Sequence, residues 1–128
     1  MCSVDIMNKI QTKGITLSDS QAAWLAGLFE GEATFGFTTS GHPRVGLQMT
    51  DRDIVQRVAE IFNVKVSVRK KAKGREHHKD LHLITICKAQ VLCDSLTRIL
   101  PFMGKRRSKR IIEMLDYFKQ KNISPTHI

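Results

Sequence analysis

The spacing of apolar residues divides the first part of the chain into an arm, a helix and a strand. Residues 1–17 show no strong periodicity and are predicted to form an N-terminal arm. Ser18 and Gln21 then have the spacing of a capping box, and apolar positions at helical intervals continue to about Gly31. From Thr34 to Thr38 the period becomes two, which predicts a strand directly after the helix.

The rest of the chain continues this alternation of helical and extended segments. The further elements are predicted at strand 44–50, helix 51–62, strand 64–69, strand 80–87, helix 89–100 and helix 106–119. Turn residues separate the first two strands, and Pro101 with Gly104 separates the last two helices. The facing of the fourth strand stays open, because its apolar residues occupy both parities.

This order predicts an α+β fold of the αββαββα type, followed by the last helix. Each hairpin buries one side only, so we expect a four-stranded antiparallel sheet covered by helices on one face. At 128 residues the chain fits a single domain, which we place at 18–120, with a C-terminal tail at 121–128.

The uncovered face of the predicted sheet is polar and basic. The side chains expected there or at its margin are Thr34, Thr38, Ser40, Arg44, Gln48, Thr50, Lys65, Ser67 and Arg69. Such a set combines phosphate-binding charges with groups that read base edges, and a ribbon of strands can enter the major groove of DNA. An ordinary solvent-exposed sheet face would explain the alternation equally well.

The charge balance favours a polyanionic partner. Twenty-one Lys and Arg against 12 Asp and Glu give a formal net charge of +9. Basic residues also cluster in a loop, at Lys71, Lys73 and Arg75, and before the last helix, at Arg106 and Arg107. We expect both clusters to contact DNA phosphates, although a solvated basic surface is the alternative.

Neither a membrane nor a secretory setting is indicated. The longest apolar stretches are far shorter than the roughly 20 residues of a membrane-spanning helix, and the N-terminus lacks the order of a signal peptide. Three cysteines give an odd number without metal-ligand spacing. We therefore expect a soluble intracellular protein, in the cytoplasm of a prokaryote or phage-infected host or in an organelle.

One short motif carries the candidate chemistry. Residues 25–33 read Leu-Ala-Gly-Leu-Phe-Glu-Gly-Glu-Ala, which resembles the signature of the LAGLIDADG homing endonucleases and related maturases. The resemblance extends over most of 18–120, and a single motif is typical of the homodimeric branch. It implies a site-specific endonuclease that cuts double-stranded DNA at a long, partly palindromic site. The alternative is an RNA maturase that binds intron RNA, or a DNA-binding regulator without cleavage.

The resemblance also assigns roles to individual residues. Glu32 matches the family's metal ligand and the carbonyl of Gly31 a backbone ligand, and hard oxygen donors suit Mg²⁺ or Mn²⁺. Asp51 matches a polar residue that orders the attacking water, or it only caps the second helix. Lys105 matches a lysine near the active site, a role that Arg106 or Arg107 could fill instead.

A stripe of small residues predicts how two copies would meet. Ala23, Gly27 and Gly31 recur every four residues and form a narrow groove on one side of the first helix. Two such helices can approach closely at a dyad, with Glu30 as a polar partner in the interface. The alternative is that these residues pack within one core. Ala33 stands where the family usually has glycine, and both acids are Glu, which leaves room for a degenerate site.

Overall fold

The computed structural model describes residues 13–70 and 79–126, and its first helix begins as the sequence predicts. Helix α1 (Asp19–Glu32) has Ser18 as its N-cap. The Ser18 hydroxyl accepts a hydrogen bond from Gln21 N at 3.1 Å, and the Gln21 side chain accepts one from Ser18 N at 2.9 Å. The helix extends one residue beyond Gly31, so that Glu32 is its last residue and the first strand follows without a loop.

The other elements follow in the predicted order. They are β1 (Ala33–Phe37), β2 (Pro43–Met49), α2 (Arg52–Phe62), β3 (Ser67–Arg69), β4 (Leu81–Ile86), α3 (Ala89–Ile99), a 3₁₀ turn (Leu100–Phe102) and α4 (Lys105–Gln120). The α+β class, the αββαββα order and the helix that follows it are therefore confirmed.

The four strands form one antiparallel sheet in the order β1-β2-β4-β3. The register is defined for each neighbouring pair: Ala33 pairs with Leu47, Val45 with Ile86, and Ser67 with Leu83. β1 and β3 are the edge strands.

The helices cover one face of this sheet and enclose the hydrophobic core. From the sheet, Phe35, Val45, Leu47, Ile84 and Ile86 are buried. The helices supply the opposing layer, including Leu25, Phe29, Val58, Phe62, Leu96, Met114 and Phe118. The alternation of buried and accessible positions along β2 is the period of two that its sequence predicts.

Two predicted features differ in detail. β3 begins at Ser67 rather than at Val64, because Asn63, the C-cap of α2, has a left-handed conformation with φ of 54°, and the chain must then travel to the sheet edge. Val64 and Val66 pack against the core on the way. Asp51 occupies the N-cap position of α2, but its side chain makes no capping hydrogen bond.

Several predictions fall outside the described residues. These are residues 1–12 of the arm, Lys71, Lys73 and Arg75 of the basic loop, and residues 127–128 of the tail. The division into arm, domain and tail stays a prediction. No helix within 13–70 and 79–126 combines the length and apolarity that a membrane crossing requires.

Asp94 on α3 joins the two ends of the described chain. Asp94 is 7% exposed, and its carboxylate accepts hydrogen bonds from Ile15 N at 3.0 Å and Thr126 N at 2.7 Å. It also accepts from the Thr126 hydroxyl at 2.8 Å and from Gln90 Nε2 at 3.0 Å. Burial, and then the charge of Asp94, raises the pKa of the neighbouring Cys93 thiol to about 11. One buried carboxylate thus holds the segments before α1 and after α4.

We expect Asp94→Ala to lower the free energy of unfolding by about 2 to 4 kcal/mol, because several donors lose a charged acceptor together. Urea denaturation followed by circular dichroism measures this. Asp116→Ala, at an exposed position of α4, is the matched control and should change stability by less than about 0.5 kcal/mol. Equal midpoints for the two variants would contradict this account of Asp94.

Candidate nucleic-acid interface and catalytic corner

The face of the sheet turned away from the helices, here called the outer face, collects most of the strand residues predicted to line it. Thr34, Arg44, Gln48, Ser67 and Arg69 all lie there. They alternate with the buried inner positions, and the cross-strand register places them in adjacent rows. Among the described strand residues, this face carries no acidic side chain.

The remaining predicted residues of this surface lie at its margins. Thr38 and Ser40 belong to the β1–β2 turn, where their hydroxyl groups are 3.1 Å apart and Thr38 Oγ1 accepts from His42 N at 3.1 Å. Thr50 and Lys65 are exposed and stand just outside β2 and β3. The turn hydroxyls therefore have a structural use that the sequence did not indicate.

The structure resolves the facing of β4. Ile84 and Ile86 point into the core, so Leu81, Leu83 and Thr85 stand on the outer face. Sequence reasoning missed these three residues because leucine and isoleucine at both parities give no period of two. Their pairing with outer-face residues of β2 and β3 is the observation that places them on the outer face.

Glu32, Asp51 and Lys105 are brought to one end of the sheet, here called the α1 corner. Glu32 ends α1, and because Ala33 pairs with Leu47, it lies where β2 ends and the chain runs on to Asp51. Gly104, which precedes Lys105, donates its N–H to Glu30 Oε1 at 2.5 Å. The start of α4 is thereby fixed beside the end of α1, and Gly31, Glu32, Asp51 and Lys105 are all exposed.

Glu30 is held within its own chain. Besides the Gly104 hydrogen bond, its Oε2 lies 3.7 Å from Arg107 Nε. Arg107 in turn donates to the carbonyl of Ala33, and its guanidinium lies 5.5 Å from the ring centroid of Phe35. The Arg107 side chain is only 15% exposed, so these contacts hold it against the sheet, and its predicted contact with a DNA phosphate stays a prediction. Neither the Glu30 nor the Arg107 contact was predicted.

The edge strand β1 is covered by arginines of α4. Arg107 donates to Ala33 O, and Arg110 Nε donates to Phe35 O at 3.3 Å. Arg110 also lies over the Phe37 ring, 4.9 Å from its centroid, and reaches the outer face near Gly36. Lys105, Arg106 and Lys109 remain exposed on the same helix. The basic cluster thus contains two arginines fixed against the sheet and three cations available to an anion.

The electrostatics of the α1 corner favour a bound cation. The C-terminal end of a helix carries partial negative charge, yet the last turn of α1 has two glutamates and no basic residue. Arg107 compensates Glu30, whereas Glu32 makes no hydrogen bond or ion pair within the described residues. Its carboxylate and the Gly31 carbonyl are hard oxygen donors that fit Mg²⁺. No cluster of three or more His, Cys, Asp or Glu side chains close enough to hold a metal occurs in 13–70 and 79–126.

The predicted stripe of small residues lies on the exposed side of α1. Ala23, Gly27 and Gly31 are exposed, and a Cβ built at either glycine meets nothing within 4 Å. The packing of this stripe within its own core, which the sequence left open, is therefore excluded. Trp24 and Leu28 flank it and are only partly buried.

Comparisons with known proteins find similarity in structure. No protein-family model and no curated protein matches the chain. Two solved structures of the homing endonuclease I-CvuI align with TM-scores of 0.53 and 0.51 at 18% and 19% identity. The alignments cover 80% and 79% of this chain and 68% of the I-CvuI chain. One holds I-CvuI with its target in 2 mM Ca, the other with the I-CreI target in 2 mM Mg and the DNA not cleaved.

A third solved structure is the group I intron-encoded homing endonuclease I-CeuI complexed with DNA. It aligns with a TM-score of 0.54 at 17% identity, over 86% of this chain and 59% of the I-CeuI chain. At identities of 17% to 19%, these structural alignments establish a shared fold and nothing finer. The chain therefore has the homing endonuclease fold of I-CvuI and I-CeuI, which is the fold that its LAGLIDADG-like motif predicts.

Proposed function

We propose that this chain is a homing endonuclease of the LAGLIDADG family that cuts both strands of a long, partly palindromic DNA site as a homodimer, using a divalent metal. The observation that carries the proposal is the position of Glu32. Its carboxylate ends the motif helix at the margin of the outer face, exposed and without a partner in the described residues. A carboxylate at a helix C-terminus is disfavoured by the partial negative charge there, and a cation bound beside it compensates this charge.

The outer face is the proposed DNA-binding surface. Arg44 and Arg69 supply charge for phosphates, and Thr34, Gln48 and Ser67 supply hydrogen-bonding groups for base edges. The excess of basic residues adds a sequence-independent attraction to DNA. I-CvuI and I-CeuI, which share the fold, were solved as DNA complexes. Double-stranded DNA is therefore the partner that fits this face.

The residues of the α1 corner can divide the work of phosphodiester hydrolysis. Glu32 and the Gly31 carbonyl would hold Mg²⁺ or Mn²⁺, which when bound neutralises charge at the scissile phosphate. Asp51 would orient the attacking water by accepting its hydrogen bond. Lys105, at the positive N-terminal end of α4, would stabilise the charge that develops on the phosphate oxygens as the bond to the 3′ oxygen breaks.

The homodimer is proposed from the exposed side of α1. A helix with an apolar buried side normally places charged residues on the opposite side, but here that side carries Ala23, Gly27 and Gly31. Small residues allow two helix backbones to approach closely, as two α1 helices would at a dyad. Such an approach would bring two α1 corners together, one for each DNA strand.

Exchanging Glu32 for Gln tests the metal ligand. We expect E32Q to slow cleavage at least about 100-fold while it leaves DNA binding intact, because the amide removes the charge but keeps the shape. The substrate is first found by incubating the wild type with randomised duplex DNA, in Mg²⁺ and in EDTA, and sequencing the cut ends for 3′ overhangs. Glu60→Gln, an exposed acid of α2, is the control and should cut normally. Cutting by E32Q at the wild-type rate would refute the assignment, and binding without any cutting by the wild type would favour a regulator or an RNA maturase.

Exchanging Gly27 for Leu tests the dimer. The added side chain projects into open space in one chain, and leucine favours the helix over glycine by up to about 1 kcal/mol, so the fold should survive. We expect wild type to sediment at twice the 14.5 kDa chain mass and G27L at that mass. Gln56→Leu on exposed α2 is the control and should stay dimeric. A dimeric G27L would place the interface elsewhere.

Arg106 and Arg107 offer a matched pair for the basic cluster. Arg106 is exposed, whereas Arg107 is held by Glu30 and Ala33. The alanine variant of Arg106 should therefore lose DNA affinity, and that of Arg107 should lose stability. We expect Arg106→Ala to reduce the slope of log affinity against log salt by about 1 with stability unchanged. Arg107→Ala should lower the free energy of unfolding by about 1 to 3 kcal/mol. Salt titrations of DNA binding and urea denaturation measure the two effects, and a fully stable Arg107→Ala protein would contradict the structural account.

A further inference from the structure

Two leucines interrupt the polar outer face of the sheet. Leu81 and Leu83 stand on β4 between the two strands that carry Gln48 and Ser67. Both are partly exposed, and neither is among the partly buried side chains, such as Met49 and Val66, that pack against the core. Both point away from the helices that enclose the core.

The register sets each leucine among groups able to read bases. Leu83 pairs with Gln48 on one side and with Ser67 on the other, and Leu81 pairs with Arg69. Directly opposed side chains on one sheet face have Cβ atoms about 5 Å apart. A single cross-strand row therefore presents an amide, a branched apolar group and a hydroxyl to whatever lies on this face.

The chemistry of this row narrows what it can contact. In the major groove, asparagine or glutamine pairs with adenine N6 and N7, and the only apolar group that the four base pairs display is the 5-methyl group of thymine. An adenine–thymine pair shows both features side by side. A polar row without acidic groups but with a leucine next to a glutamine matches that pair.

We propose that Leu83, with Leu81 on the neighbouring row, contacts thymine 5-methyl groups in the DNA target and so selects A·T pairs beside Gln48. The inference rests on the proposed DNA-binding function and adds the residues that set its specificity. It also makes this face selective for DNA over RNA. Uracil lacks the methyl group, and the deep, narrow major groove of A-form RNA does not admit such side chains.

The alternative occupant, a second protein surface, fits the same observations less well. Leu81 lies beside Arg69 and Leu83 between hydrogen-bonding groups, while Arg44 stands further along β2, and no acidic residue occurs among the described strand residues of the outer face. That charge is complementary to a phosphate backbone beside an apolar contact.

The first experiment varies the DNA and uses the wild-type protein. In the cleavage site recovered from randomised duplexes, each thymine is replaced in turn by deoxyuridine, which removes one methyl group, and affinity is measured by fluorescence anisotropy in Ca²⁺. We expect substitution at one or two positions in each half-site to weaken wild-type binding about fourfold, the loss of one buried methyl group. Because the protein is unaltered, misfolding cannot produce this result.

A second experiment combines the deoxyuridine substitution with a change in the protein, as in a double-mutant cycle. Leu83→Ala should bind the thymine duplex about fourfold more weakly, and deoxyuridine at the sensitive position should then cost nothing further. Val68→Ala is the control, since Val68 is 47% exposed but pairs with His82 on the opposite face, and it should keep the deoxyuridine effect.

The outcomes separate this inference from the proposed function. Specific binding that no deoxyuridine substitution weakens, a recovered site without thymine, or an effect that persists in Leu83→Ala would overturn the thymine contact and leave the endonuclease proposal standing. A wild-type protein that binds no duplex would overturn both.

Discussion

The carboxylate of Glu30 determines where α1 meets the start of α4. It accepts from Gly104 N and faces Arg107, which donates to the first carbonyl of β1. The start of α4 is thus joined to α1 and β1, more than 70 residues earlier in the chain, at the point where the motif helix ends. Because glycine stands at 104, the Glu30 side chain can approach the backbone closely: a Cβ there would lie 3.1 Å from Glu30 Oε1. The orientation of Glu32 and Lys105 relative to the sheet depends on these contacts.

The same helix departs from ordinary helix preferences in two ways. It contains two glycines in its last two turns, each costing up to about 1 kcal/mol relative to alanine, and it ends in acids rather than bases. Capping by Ser18 and burial of Leu25 and Phe29 stabilise it against both costs. Local preferences are commonly violated where a surface serves function, and here both departures fall on residues 27–32.

The sequence predicted the parts of the molecule that local patterns determine. The capping box, the alternation in β2 and the hairpin turn each depend on neighbouring residues, so their elements and the polar outer face were identified. β4 could not be oriented, because Leu81 and Leu83 replace the polar residues that would mark an exposed parity. The motif pointed to Glu32, but the separation of Arg106 from Arg107 follows from contacts with residues 74 positions away, which no local pattern records.

The arginines along β1 have a consequence for assembly. An edge strand offers free carbonyl and amide groups to any other extended chain, and proteins commonly obstruct such edges with charge. Here guanidinium groups of α4 already use the Ala33 and Phe35 carbonyls, and two positive charges stand in the way of an incoming strand. These contacts oppose continuation of the sheet into a neighbouring molecule at the β1 edge, so two copies of the protein would not form a shared ribbon through this strand.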